Sequence, residues 1–438
     1  MPITCSRIAE KSSLGATFLK LDNGLTLIHQ ELPATSVVSV DVWVKAGTTA
    51  EPEEWSGMAH FLEHMIFKGT DTIVPGEFDC LIELEGGVAN AATSHDYAHY
   101  MFTTASSSFA STMPYLAEML LNASIPDCEF EQERLVVLEE MRQSQDDPDW
   151  LAFQNLMQTA YGQHPYNRSV LGSEEILLSL TPEHMRCFHR SCYRPELMTV
   201  AVVGAISQEE AIAVVSESFA GCQLPFNSTS SSQVQLADLD LACLPALLDI
   251  RRHTEHLPRL QHGRMTMAWI GPCVDRLEDA LQLELVSTIL AEGRTSRLVK
   301  ELREELGWVH DISSGFTMQK EPGLFTVGAY LDRQYLEPVE HKILEQIHQI
   351  TTTPVTEAEL KRAKRSLCNS FAFAVESPHQ LASFLGYYGL LGCQGLCSDW
   401  SEVYANTIAK VQPQDLLQLA QKYLSPQKYA IATLLPPT

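Results

Sequence analysis

Positive charge is scarce in this sequence: 30 lysines and arginines stand against 55 aspartates and glutamates, a formal net charge of −25. That balance argues against a nucleic-acid or anionic-membrane partner. Long apolar runs are missing too, and none approaches the roughly 18 to 20 residues that span a bilayer. The opening stretch, Met1 to Gly15, has neither a basic-then-apolar signal pattern nor an arginine-rich transit pattern, so cytoplasmic residence is the expectation. The eleven cysteines are scattered, with no C-x-x-C pair. They read as small buried hydrophobes in a reducing compartment. His184, Cys187, His189 and Cys192 lie close together, but their spacing is that of one side of an ordinary helix. The acidic excess suits an interior that attracts basic peptides, and equally a generally acidic surface.

Against these absences, residues 60 to 64 read His60-Phe61-Leu62-Glu63-His64. On a helix the two histidines are one turn apart and point the same way, so both imidazoles can share one metal ion. Glu63 sits beside the open coordination position, free to take a proton from water. The order H-x-x-E-H inverts the commoner H-E-x-x-H of zinc proteases. Met58, Phe61, Leu62, Met65 and Ile66 recur as a core-facing stripe. The second stripe, His60, Glu63, His64 and Phe67, also ends in an apolar residue, so the helix is expected to be buried on most sides, with Gly69 placed to end it. Burying a glutamate and two histidines is costly without partners, which favours a metal site over surface histidines.

A catalytic zinc wants three protein ligands. The segment from Asp127 to Met141 reads as a helix that Asp127 can cap, with acids in its first turn. Phe130, Val137, Leu138 and Met141 mark its buried face. Glu133 and Glu140 lie two turns apart at the edge of that face, whereas Glu131 and Glu139 point to water. Glu140 is therefore the expected third ligand, and Glu133 a carboxylate behind it that orients a histidine or the ligand.

The stretch Gly57 to Thr70, read with these glutamates, resembles the signature of the pitrilysin-type (M16) zinc peptidases, most nearly their mitochondrial-processing-peptidase-like bacterial subfamily (M16B). Members place the third ligand about 75 residues past the second histidine, in a Val-x-x-Glu setting that Val137-Leu138-Glu139-Glu140 matches. Their supporting glutamate, seven residues earlier, is matched by Glu133. Gly86 to Ser94 resembles the family's edge strand, and Asn90-Ala91 its substrate-contacting pair. An extended peptide can add to such an edge through main-chain hydrogen bonds. Ser296-Arg297-Leu298 and the segment Leu302 to His310 match a further region. There the family has an arginine, here Arg303, and seven residues on a tyrosine, here replaced by His310.

The resemblance implies one zinc ion per chain and a metalloendopeptidase that cleaves short or unfolded peptides inside a clamshell chamber. In this reading Glu63 is the catalytic base, and Arg303 and His310 hold the substrate. It also implies a dimer, because single-chain members carry four half-units and this chain carries two. The second chain would be identical or a related M16 chain, and the departure at His310 favours an active site divided between different chains. A catalytic subunit that needs a different partner, and a non-catalytic scaffold, are the alternatives.

The duplication itself is visible without the resemblance. Thr181-Pro182-Glu183-His184 opens a helical stretch that runs to Tyr193-Arg194-Pro195 and a strand, Leu197 to Val203. Gln412-Pro413-Gln414-Asp415 opens another that runs to Pro426 and a strand, Tyr429 to Leu435, with the two prolines 13 apart in both copies. Glu129-Phe130 pairs likewise with Glu359-Leu360, for copies of about 230 residues. The second copy has no metal residues on its first helix, Asp279 to Ala291, and reads as a chamber wall. The expected organisation is a zinc-binding domain over 1–223, a polar linker over 224–243 and a homologous non-metal domain over 244–438. The fold class is α+β: two homologous domains, each an antiparallel sheet covered by helices, which the resemblance identifies with the α/β-roll of M16 and LuxS-like metallopeptidases. The strands expected in the first are Leu25 to His29, Val37 to Val44 and His99 to Thr104.

Overall fold

A computed structural model of the chain describes residues 16–220, 247–392 and 404–437. The expected linker over 224–243 lies outside the described residues. The chain forms two units, and membership does not follow chain order throughout. Residues 16–140, 169–220 and 373–392 belong to the first, and residues 141–168, 247–372 and 404–437 to the second.

The strands of the first unit are β1 (Thr17–Lys20), β2 (Thr26–Glu31), β3 (Val37–Val44), β4 (Val88–Thr93), β5 (Ala98–Ala105) and β6 (Met198–Gly204). Those of the second are β7 (Arg251–His256), β8 (Gly263–Ile270), β9 (Val309–Thr317), β10 (Leu324–Leu331) and β11 (Ala430–Leu435). The helices in chain order begin with α1 (Met58–Ile66), α2 (Glu77–Leu84), α3 (Phe109–Asn122), α4 (Asp127–Gln145), α5 (Pro148–Tyr161), α6 (Glu174–Ser179), α7 (Pro182–Cys192) and α8 (Gln208–Ser218). They continue with α9 (Leu277–Ala291), α10 (Leu336–Thr352), α11 (Glu357–Ala374), α12 (Pro378–Leu390) and α13 (Pro413–Tyr423).

The first sheet runs β1-β2-β6-β3-β5-β4 and the second β7-β11-β8-β10-β9. Strand for strand, the second repeats the first without β1, and the duplication read from the proline spacing is a duplication of topology. Pro182 and Pro413 each take the first turn of a helix, α7 and α13, where a missing N–H costs nothing. Each sheet departs from the antiparallel expectation at one pair: β2 with β6 and β7 with β11 run parallel. In both copies helical segments separate the paired strands in sequence, and a crossover of that length permits parallel pairing.

Burial explains the composition of the central strands. Every residue of β3 after Val37 and every residue of β6 is buried, so both strands read as nearly continuous apolar runs rather than alternating ones. The polar exceptions have partners. Asp41 accepts from His99 Nδ1 at 3.0 Å and from Ser383 Oγ at 2.7 Å. Helix α12 packs on β3 and β6, and its small residues permit the close approach. A Cβ on Gly386 would lie 2.3 Å from indole atoms of Trp43, and one on Gly389 would lie 2.3 Å from Ile28 Cδ1. In the second unit, α5 packs on β8 and β11, with Leu156, Met157, Ala160 and Tyr161 in a cluster that includes Ala268 and Ala430.

The seating of α12 is testable. Gly386→Ala should destabilise the protein by about 1–3 kcal/mol, the usual cost of overpacking a filled core. Urea denaturation measures this, and an unchanged midpoint would contradict the packing described.

Candidate metal centre

Helix α1 starts at a backbone that only glycine tolerates well. Gly57 has φ +94°, and a Cβ there would lie 2.8 Å from the Leu171 carbonyl oxygen. The Glu51 carboxylate accepts from Gly57 N at 3.0 Å and Ala59 N at 2.7 Å. It satisfies two buried donors of the helix start that have no intrahelical partner and places negative charge at the positive end of the dipole. Met58, Phe61, Leu62, Met65 and Ile66 are all buried, as their spacing predicts, and Gly69 turns the chain at φ +89° just past the helix end. Phe61 packs against Phe130 of α4 with ring centroids 4.6 Å apart and planes tilted by 32°, and both are fully buried. Phe130, Val137, Leu138 and Met141 form the buried face of α4, while Glu131 and Glu139 are exposed.

This packing sets the histidines of α1 across from the glutamates of α4. Glu140 Oε1 is 3.6 Å from His60 Nε2, and Glu140 Oε2 is 3.3 Å from His64 Nε2. One nitrogen of each histidine and one Glu140 oxygen all lie within 4.8 Å of one another. On the far side of the ring, His64 Nδ1 donates to Glu133 Oε1 at 2.9 Å. Lys68 Nζ holds the other Glu133 oxygen at 2.5 Å. This is the carboxylate–imidazole support found behind metal-binding histidines, which fixes ring orientation and raises ligand basicity. Two imidazole nitrogens and one carboxylate oxygen, converging from two helices, could hold a divalent metal ion and leave a coordination position open.

The electrostatics divide the two histidines. Burial, with His64 nearby, lowers the His60 pKa to about 4; its Nδ1 is buried with no hydrogen-bond partner among the described residues, so the ring stays neutral as a metal ligand must. Burial also works against a charge on His64, but the hydrogen bonds and charges of Glu133 and Glu140 outweigh it and push its pKa up to about 9. Two carboxylates that grip a proton this firmly would also attract a cation in its place. Glu63 is largely buried, and burial raises its pKa against the opposing hydrogen bond from Thr93. Thr93 Oγ1 donates to Glu63 Oε2 at 2.6 Å.

Thr93 ends β4, the edge strand of the first sheet, which pairs with β5 on one side. Asn90 and Ala91 lie on this strand, opposite Met101 and Tyr100. The strand alternates exposed and half-buried residues. Arg303 and His310 belong to the second unit. Arg303 bonds Glu304 at 3.2 Å and Asp311 at 3.3 Å, and His310 Nε2 contacts Asp332 Oδ1 at 3.3 Å. The His184–Cys192 run is the helix side expected of it: His189 Nε2 donates to the Leu120 carbonyl at 2.8 Å, and Cys192 is buried.

Three contributors were not singled out in the sequence. Lys68 follows His64 by one helical turn, a spacing that would have found it. Glu51 precedes a helix start, where an acid is expected, though at unusual distance. Thr93 reaches Glu63 only through the sheet, and no local pattern marks it.

Comparison with known proteins places this chain in a family. The profile described as insulinase (peptidase family M16) matches residues 26–174, and that of the peptidase M16 inactive domain matches residues 179–367. The chain is 29% identical over 375 residues to an uncharacterized zinc protease of Mycobacterium leprae, covering 85% of this chain and 82% of that one. It is 26% identical over 430 residues to a probable mitochondrial-processing peptidase subunit beta of Arabidopsis thaliana, covering 95% and 77%. Among solved structures, a protease from Helicobacter pylori superposes with a TM-score of 0.87 at 25% identity, over 96% of this chain and 99% of that one. A structure described as a peptidase M16 inactive domain, from Pseudomonas fluorescens, shares the fold with a TM-score of 0.85 at 20% identity, over 97% and 99%. With both M16 profiles matched in order, and together spanning most of a duplicated α+β fold, the chain belongs to the M16 peptidase family.

Proposed function

We propose that this chain is a zinc-dependent metalloendopeptidase that cleaves short or unfolded peptides. The observation that carries the reading is the convergence of His60, His64 and Glu140, with Glu63 close enough to feel the charges of His64 and Glu140. His60, His64 and Glu140 would hold the ion, and Glu133 would keep the His64 ring in place. Bound zinc supplies Lewis acidity, polarising the peptide carbonyl and lowering the pKa of water. Glu63 takes the proton from the attacking water and delivers it to the leaving amine. Thr93 holds one Glu63 oxygen, so the other is left to exchange that proton. The β4 edge, with Asn90 and Ala91, accepts the substrate as an added strand, a mode that demands little of the peptide's sequence.

A dimer completes this reading. Arg303 is engaged by Glu304 and Asp311, a histidine stands at position 310, and one relative is named as a beta subunit. These favour a second M16 chain, identical or related, that contributes substrate-holding groups. Assaying the chain alone and with such a partner distinguishes the cases, since activity that never responds to the partner would remove the divided site.

Glu63→Gln should keep zinc at the wild-type stoichiometry and lower kcat/KM by about 10²–10⁴-fold, the usual share of a general base; wild-type cleavage by this variant would sink the mechanism. Because burial raises the Glu63 pKa in the metal-free chain, an NMR titration of the zinc-stripped protein should place this carboxyl above the ordinary glutamate value of about 4.3. A midpoint at or below that value would contradict the burial argument. Glu133→Gln should weaken zinc affinity by about 10–100-fold, measured by competition with a chromogenic chelator. With its pKa near 9, His64 carries a proton in the metal-free chain at pH 7.5, and zinc must expel it. Calorimetry in buffers of different ionisation enthalpy should therefore show proton release at pH 7.5 that declines as the pH rises past 9.

A further inference from the structure

Three side chains meet at one end of the second sheet. His262 immediately precedes β8, His310 is the second residue of β9, and Asp332 immediately follows β10. Strand β10 lies between the other two. Its register sets Leu331 opposite Gly263 on one side and opposite Val309 on the other, so the residues that flank these pairs fall at one level. Strict alternation would send His310 to the face opposite Asp311. A bulge changes that: Tyr330 pairs with Asp311 and Leu331 with Val309, leaving His310 as the extra residue. Such an insertion re-aims a side chain. The His310 ring lies 4.4 Å from that of His262, and both lie 5.1 Å from the Tyr330 ring.

Asp332 Oδ1 accepts from His262 Nδ1 at 2.7 Å and from His310 Nε2 at 3.3 Å. Among the described residues only this trio and His60–His64–Glu140 bring three such donors within 4.8 Å of one another. Ligand atoms bound tetrahedrally at about 2.0–2.1 Å are roughly 3.3 Å apart, so an ion could replace the shared hydrogen bonds with little movement of the carboxylate. Neutral imidazoles need only move their proton to the other ring nitrogen. We propose that His262, His310 and Asp332 form a second metal site, one that binds a divalent transition ion such as zinc. Two histidines and a carboxylate with open positions suit such ions. The side chains are 32%, 47% and 44% exposed, so this site binds more weakly and exchanges faster than the first. Tyr330 also lines a cavity of about 460 Å³ with Arg264 and Asp311, which sets the cavity's contents beside the ion. A filled site takes His310 Nε2 away from the substrate role suggested by its place in the sequence.

The test is zinc titration of the full chain after chelator stripping, read by equilibrium dialysis with metal analysis. Wild type should take a tight equivalent and then a weaker one. His262→Ala and Asp332→Asn should each lose only the weaker equivalent, and His310→Tyr should do the same. A His60→Ala/His64→Ala double variant should lose only the tight one, so failure of the catalytic centre and failure of this site give different results. Thermal melting of the stripped variants checks that each is folded. A wild type that saturates at one equivalent, or folded His262 and Asp332 variants that keep both, would overturn the proposal.

Discussion

The contact between α1 and α4 governs everything the candidate centre can do. Histidines and glutamates come from different helices, so their convergence depends on how those helices pack. Phe61 against Phe130 sets the distance, and full burial of two such rings contributes about 1.5–3 kcal/mol each relative to exposure. Apolar packing thus supplies the rigidity, and the polar stripe exploits it. The Glu133 bridge to His64 and Lys68 then removes the remaining freedom of the ring. A rigid helix pair backed by a hydrogen-bonded carboxylate is what positions ligands without relying on loops.

Polar groups on the buried stripe make sense only as a set. His60 is neutral because burial lowers its pKa and its Nδ1 has no partner among the described residues, whereas His64 is drawn toward charge by two carboxylates. Their difference is useful: the site is negative enough to attract a cation, and it contains a nitrogen that needs no deprotonation. Glu63 lies on the same helix but answers to a different element, the end of β4 through Thr93. In the proposed mechanism the strand that holds the base in place is also the edge strand of the sheet, so chemistry and peptide binding would share one structural support.

Much of this was legible in the sequence because it is periodic. The α1 and α4 stripes, the separation of Glu133 and Glu140 from Glu131 and Glu139, and the paired prolines of α7 and α13 all follow from helical spacing and cap chemistry. What stayed hidden depends on the sheet. Nothing local assigns α5 to the second unit or α12 to the first, since the glycines of α12 matter only once Trp43 and Ile28 lie beneath them. The parallel pairs β2–β6 and β7–β11 were hidden for the same reason. His262, His310 and Asp332 are brought together by register and a bulge, which alter the face of a side chain without leaving a motif. His310 stood out in the sequence only as a departure from the family's tyrosine, and its neighbours supply a reason of its own for a histidine there.

The central claim is that His60, His64 and Glu140 hold zinc for a reaction in which Glu63 moves the proton. It is tested most directly by crystals of the zinc-loaded Glu63→Gln variant soaked with a peptide, with data collected at the zinc absorption edge. The account predicts an anomalous peak among His60 Nε2, His64 Nε2 and Glu140, with an uncleaved peptide lying along β4 and its carbonyl oxygen directed at that peak. A peak elsewhere with none among these three residues, or a cleaved peptide in the variant, would contradict it.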